Sequence, residues 1–224
     1  MTSIFQDVLG AEFANLHPRI QERFSLTSDG GLAAMGRGVM SKLWHGKAFT
    51  LPFLYLGSWR NIMFPENGVD VPFTIENWAY RDSYGRETVT WMRSFHTRRV
   101  RRFDAYMIYS QARKCIVDYL GTHQHLAVDL AMSVDERGGM CLRSGEQRFY
   151  EGLIGFRFPM IFSGVAEVCE WFDDDSGKFQ IEVTVSNRYW GPLFGYRGSF
   201  EVEWLDASGG LPENLRPKRE EKRE

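Results

Sequence analysis

One short segment sets two opposite charges on the apolar side of a strand. In residues 86–95 (RETVTWMRSF), a period of two places Glu87, Val89, Trp91, Arg93 and Phe95 on one face. Arg86, Thr88, Thr90, Met92 and Ser94 fall on the other. A charge that faces an apolar interior is costly unless it is paired or meets water or a polar ligand. The pattern therefore implies either a buried arginine–carboxylate pair or a cavity. In a cavity, Trp91 and Phe95 would form a wall, and Arg93 would hold a carbonyl or carboxylate oxygen and stabilise negative charge developing there. The proton-transfer candidates are Glu87, Glu167 and Glu170. In 165–173, Glu167 shares a face with Val165, Cys169 and Trp171, and Glu170 shares the other with Ala166, Val168 and Phe172. Each face mixes apolar groups with one carboxylate, so alternation assigns neither glutamate inward. Either could neutralise Arg93, or act as a base if burial raised its pKa.

Tyr196 and Arg197 follow a Gly-Pro turn, from which a phenol and a guanidinium could close the mouth of a barrel. Arg37, between Gly36 and Gly38, is a further ligand-binding candidate, although GRG falls well short of a phosphate loop. His123 and His125 have a spacing that allows two metal ligands on one strand face, but no third His or Cys lies near in sequence, so no metal is expected. Arg98, Arg99, Arg101 and Arg102 surround Val100 in an inter-strand turn, read either as an anion patch or as a solvated turn. The chain has no GxSxG motif and no complete dinucleotide or P-loop motif, so neither a hydrolase triad nor a cofactor is expected.

The elements that must position these residues are mostly strands. A capping-box pattern at Ser3 and Gln6 opens a helix carrying Phe5, Leu9 and Phe13, and His17-Pro18 ends it before one more helical turn. A strand is expected over 32–39, an irregular or helical stretch over 41–64, and then regular strands from Val71 onward, separated by turn clusters. Eight to ten antiparallel strands do not stay flat, because twist makes them curl, close or split. The expected fold is a mainly β chain: a strongly curved sheet or lipocalin-like barrel with N-terminal helices, or alternatively a helix-grip, START-like sheet wrapped around a helix. One β-rich domain is expected over 1–212, with a charged, mobile tail over 213–224.

Composition narrows the function classes. The net charge of −2 gives no global pull toward nucleic acid or an anionic membrane and leaves room only for local patches, so no nucleic-acid partner is expected. Aromatic residues make up 15% of the 224, enough to line a ligand cavity as well as to pack strands. The most apolar window, 48–57, is too short to span a bilayer and contains Pro52. Three widely spaced cysteines, without a signal-peptide pattern, suggest free thiols and a cytoplasmic location.

The same segments carry a family resemblance. WMRSF at 91–95, GRG at 36–38, GFRFP at 155–159 and the run from GKFQIEVTV to GPLFGYRGSFE occur in the order found in the bacterial domain-of-unknown-function family 4166. The chain resembles that family over roughly residues 4–204, less closely between 59 and 72. The resemblance transfers no catalytic residue. It does imply a functional link to saccharopine-dehydrogenase-like reductases, to which members of the family are sometimes attached, and so hints at apolar small molecules. The expectation is a barrel that binds a small apolar or aromatic molecule and transforms it without a cofactor, as an isomerase or cyclase does. The alternatives are a non-catalytic carrier and an interaction module with a filled core. A homodimer is compatible with the sequence and not demanded by it.

Overall fold

The computed structural model describes every residue except Met160 and Phe162. Among the described residues, eleven strands form one antiparallel sheet: β1 (Leu32–His45), β2 (Val71–Arg81), β3 (Glu87–His96), β4 (Val100–Ser110), β5 (Cys115–Leu120), β6 (Leu126–Val134), β7 (Met140–Glu151), β8 (Ile154–Arg157), β9 (Val165–Asp173), β10 (Lys178–Asn187) and β11 (Gly191–Asp206). Ten of them close into a barrel in the ring order β1-β2-β3-β4-β5-β6-β7-β9-β10-β11, with β11 returning to β1. Closure removes the exposed edges that an open sheet of this size would present. It also settles the architecture in favour of the barrel and against a sheet wrapped around a helix.

The ring has one irregular place. The first part of β7 pairs with β9 (Met140–Arg143 against Glu167–Glu170), whereas its second part pairs with the short β8 (Arg148–Glu151 against Ile154–Arg157). The wall between β7 and β9 therefore splays, and the gap is bridged by Gln147, whose side-chain amide donates to the Gly164 carbonyl at 2.8 Å.

One end of the barrel is plugged by the N-terminal segment. Ser3 caps α1 (Ile4–Leu9) through the reciprocal bonds its sequence promised, with Gln6 N–H to Ser3 Oγ at 3.2 Å and Ser3 N–H to Gln6 Oε1 at 2.8 Å. The chain continues through a 3₁₀ turn into α2 (Pro18–Arg23), where Pro18 occupies the first turn, in which a missing N–H costs nothing. Ile4, Phe5, Phe13, Ile20 and Phe24 point into the same core as the inward faces of the strands. The opposite end is covered by residues 46–70, which include α3 (Leu51–Ser58). The stretch expected to be irregular from residue 41 in fact extends β1 as far as His45.

Two sequence expectations are corrected here. Residues 213–224 do not stray from the fold. Leu215 is buried with Trp78, Tyr80 and Tyr106 on the outer face of the barrel, and Lys218 N–H donates to Thr122 O at 2.8 Å. Further along, Arg86 donates to Glu221 O at 2.7 Å. The outward face of β2–β5 is itself apolar, and this segment covers it; counting charges along the segment overlooks Leu215, which joins Leu211 just before it on that face. The expectation of free thiols is also corrected, because register sets Cys141 of β7 opposite Cys169 of β9, where they form a disulfide, leaving Cys115 free. Their separation of 28 residues in sequence conceals that contact. The cysteine count thus no longer argues for a reducing compartment.

Candidate functional site

Alternation along β3 divides two buried faces. Val89, Trp91, Arg93 and Phe95 point into the barrel, while Met92 packs into the outer cluster beneath the C-terminal segment. Arg93 is 3% exposed and has no ion-pair partner among the described residues. Its Nε donates to Phe103 O at 3.2 Å, and one terminal nitrogen (Nη1) donates to the Tyr196 hydroxyl at 3.3 Å. The guanidinium lies 3.8 Å from the centre of the Phe103 ring, a cation–π contact that offsets part of the cost of burying the charge. The other terminal nitrogen, Nη2, has no hydrogen-bond partner among the described residues.

Arg93 lines a cavity in the half of the barrel away from the helical plug. Water centres can occupy about 100 Å³ of it, against the roughly 10–15 Å³ that one water requires. Most of the lining is apolar: Trp91, Phe103, Met107, Leu142 and Val168 among others, with Ile62 and Met63 overhanging from the 46–70 segment. The splayed side contributes Ser144, Gln147, Ser163 and Gly164. These polar groups are largely occupied: Ser144 Oγ accepts from Ala166 N–H at 2.7 Å, and Ser163 donates to Gln147.

The remaining polar group in the cavity is one the candidate residues did not include. Asp118 projects inward from the middle of β5, between Ile116 and Leu120. Its Oδ1 is buried without a hydrogen-bond partner among the described residues. Burial pushes its carboxyl up to about 7, against the opposing pull of the Arg93 charge and a backbone hydrogen bond from Tyr106. No hydrogen bond or ion pair joins Asp118 to Arg93 among the described residues. The cavity thus holds a fixed cation with one unused donor, and a carboxyl poised near neutrality. A single physical rule exposes both, a charge on the apolar face of a strand, and CIVDYL at 115–120 meets that rule as plainly as WMRSF does.

The other sequence candidates lie elsewhere. Glu87 is at the plugged end of β3, where it accepts from the Ser28 hydroxyl at 2.7 Å and anchors the loop before β1. Glu170 faces inward and is fully buried, but it pairs with Arg23 of α2, and not with Arg93. Burial raises its pKa, and Arg23 pulls it back. Glu167 points outward beside Arg143 at 3.7 Å, with its side chain 61% exposed. Phe95 and Tyr196 are inside the barrel but belong to a filled aromatic layer, with ring centres 4.9 Å apart and Phe64 and Phe73 against Phe95. Burial raises the Tyr196 pKa, with Arg93 opposing. Arg37 and Arg197 stand on the exposed face of β1 and β11. For Arg37 the reason is steric: Gly36 faces inward beneath Phe200, so its neighbour must face out. Of the nine candidates, only Trp91 and Arg93 line the cavity, with Tyr196 touching Arg93 from behind. The two histidines stack 5.5 Å apart, and no cluster of three metal-binding side chains occurs among the described residues.

The profile of the family described as "Domain of unknown function (DUF4166)" matches residues 16–200, which takes in every strand that builds this cavity. The chain belongs to that family. A relative, the "Uncharacterized protein YndH" of Bacillus subtilis (strain 168), is 34% identical over 206 residues, covering 91% of this chain and 98% of its own. Neither description names an activity, so the functional reading of this DUF4166 chain rests on its own residues.

Proposed function

We propose that the barrel binds a small, largely apolar molecule carrying one carbonyl or carboxylate oxygen, and moves a proton on it without a cofactor. The observation that carries this reading is the pairing, within one apolar cavity, of Arg93 with an unused N–H donor and Asp118 with an unpartnered oxygen. For a ketone substrate, the Asp118 carboxylate removes a proton from the carbon next to the carbonyl. Arg93 Nη2 donates to the oxygen that then carries the negative charge. Where the ketone carries a β,γ double bond, the resulting dienolate takes the proton back from Asp118 at its γ carbon, so the double bond moves into conjugation and the net change is an isomerisation with no redox step. A base with a pKa near 7 suits this task at neutral pH. Asp118 takes the proton-transfer role for which the three glutamates were candidates.

A carrier would use the same cavity without proton transfer, and one experiment separates the two. The protein is incubated in deuterated water with a panel of small cyclic and aryl ketones, and mass spectrometry follows deuterium incorporation. Exchange that is lost in Asp118→Asn and slowed in Arg93→Met supports catalysis. Binding by thermal shift that needs Arg93, with no exchange on any bound ketone, would sink the enzyme reading and leave the carrier. The filled-core interaction module finds least support, since the cavity has room for several waters.

A further inference from the structure

The covered end of the barrel has a surface unlike the rest. In the segment over the cavity, Phe53, Leu56 and Trp59 are 69%, 63% and 82% exposed. Across the mouth, the turn between β10 and β11 exposes Tyr189 and Trp190, and Trp190 meets Phe49 with ring centres 5.4 Å apart. Apolar rings this exposed on a folded chain mark a contact surface. Cations flank both patches in sequence: Lys47 and Arg60 bracket the first, and Arg188 precedes the second. The β3–β4 turn at the same end adds Arg98 and Arg99, and is tied to the covering segment through Arg101 and Glu66 at 2.6 Å. Lys47, Arg60, Arg98, Arg99 and Arg188 are exposed and have no ion-pair partner among the described residues, against the single unpaired acid Asp70. The plugged end shows the reverse, with Asp7, Glu12, Asp29, Glu136 and Asp175 exposed and unpaired there. A net charge of −2 therefore conceals a polar molecule, with its cations around the aromatic mouth.

We infer that this mouth docks on an anionic lipid bilayer, with Phe53, Leu56, Trp59 and Trp190 in the interfacial layer and the five cations on the headgroups. Tryptophan and tyrosine favour that layer, and each Lys or Arg near an anionic surface adds to the attraction. No helix among the described residues is long and apolar enough to cross a membrane, so docking by this surface is peripheral. The inference stands apart from the acid–base reading, and its test uses no cavity ligand.

The test is flotation of the intact protein with vesicles of phosphatidylcholine, with and without phosphatidylglycerol, together with tryptophan emission. The protein is expected to float with the anionic vesicles, to be released by salt, and to shift its emission to the blue. Arg98→Gln/Arg99→Gln/Arg188→Gln should weaken binding by roughly fivefold per charge, and Phe53→Ser/Trp59→Ser should weaken binding and leave only the smaller blue shift that Trp190 reports. All these side chains are exposed, and unchanged melting curves would verify that the variants keep the fold. Failure to float with either vesicle would overturn the inference, as would equal binding by wild type and both variants. A dimer in solution, lost in Phe53→Ser/Trp59→Ser without vesicle binding, would assign the patch to a second copy instead.

Discussion

Replacing Asp118 with asparagine should change how stability depends on pH. The unfolded carboxyl titrates near 3.8, and in the barrel it titrates at about 7. Folding therefore favours its protonated form. Below the unfolded value both states are protonated and the group costs nothing. As pH rises, the unfolded chain gains from ionising while the folded chain does not, and stability falls until pH passes the folded value. The total loss is on the order of 4 kcal/mol, and about 2–3 kcal/mol of it falls between pH 5 and pH 8. The asparagine keeps the shape and removes the titration. Urea unfolding of both proteins at several pH values should thus show wild type losing that much relative to Asp118→Asn. The isotope shift of the Asp118 carboxyl carbon resonance should give the same midpoint directly. Parallel stability profiles, or a midpoint near 4, would mean that the carboxyl is hydrated or paired, and proton transfer at neutral pH would lose its base.

Arg23 and Glu170 form a buried pair between plug and wall, so Arg23→Leu should cost about 3–5 kcal/mol by leaving a carboxylate unpaired. That cost should shrink at low pH, where Glu170 protonates; equal costs at pH 5 and pH 8 by urea unfolding would refute the assignment. Gly36→Ala should cost about 1–3 kcal/mol, because an added Cβ would lie 2.6 Å from Ile75 and 2.7 Å from Phe200. Gly209→Ala, with nothing within 4 Å, is the neutral control, and a similar shift in both urea midpoints would argue against the packing account. Thiol titration of the unfolded, unreduced protein should find one reactive cysteine, Cys115, rising to three after reduction; three at the outset would refute the Cys141–Cys169 bridge.

What could be read from the sequence was whatever depended on neighbours along the chain. The capping box at Ser3, the turns at 135–139 and 173–177, and the alternation of β3 are local, and each is where its residues put it. The count of strands, joined by short turns, was enough to favour closure. What lay hidden depended on partners far away in sequence. Glu170 could not be assigned to a face because β9 is apolar on both, and its partner comes from a helix 147 residues earlier. The outward apolar face of β5 gave no sign that residues 211–215 would cover it. Cys141 and Cys169 meet only because β9 pairs with β7 past the intervening β8.

Asp118 is the instructive exception, because its signal was local. On β3, the apolar residues flanking Arg93 made a charge on the inner face conspicuous. On β5 both faces are apolar, Val117 and Tyr119 outward, Ile116 and Leu120 inward, so Asp118 is conspicuous whichever face is the inner one. A carboxylate at the centre of a strand that is buried on both sides must be desolvated in either case, and desolvation alone raises its pKa. The site is assembled when register brings this strand and β3 to flank β4, Ala105 opposing Trp91 on one side and Leu120 on the other. That juxtaposition brings a permanent cation and a neutral-range acid into one apolar space. It is a reason to look for proton chemistry in this barrel before looking for simple carriage.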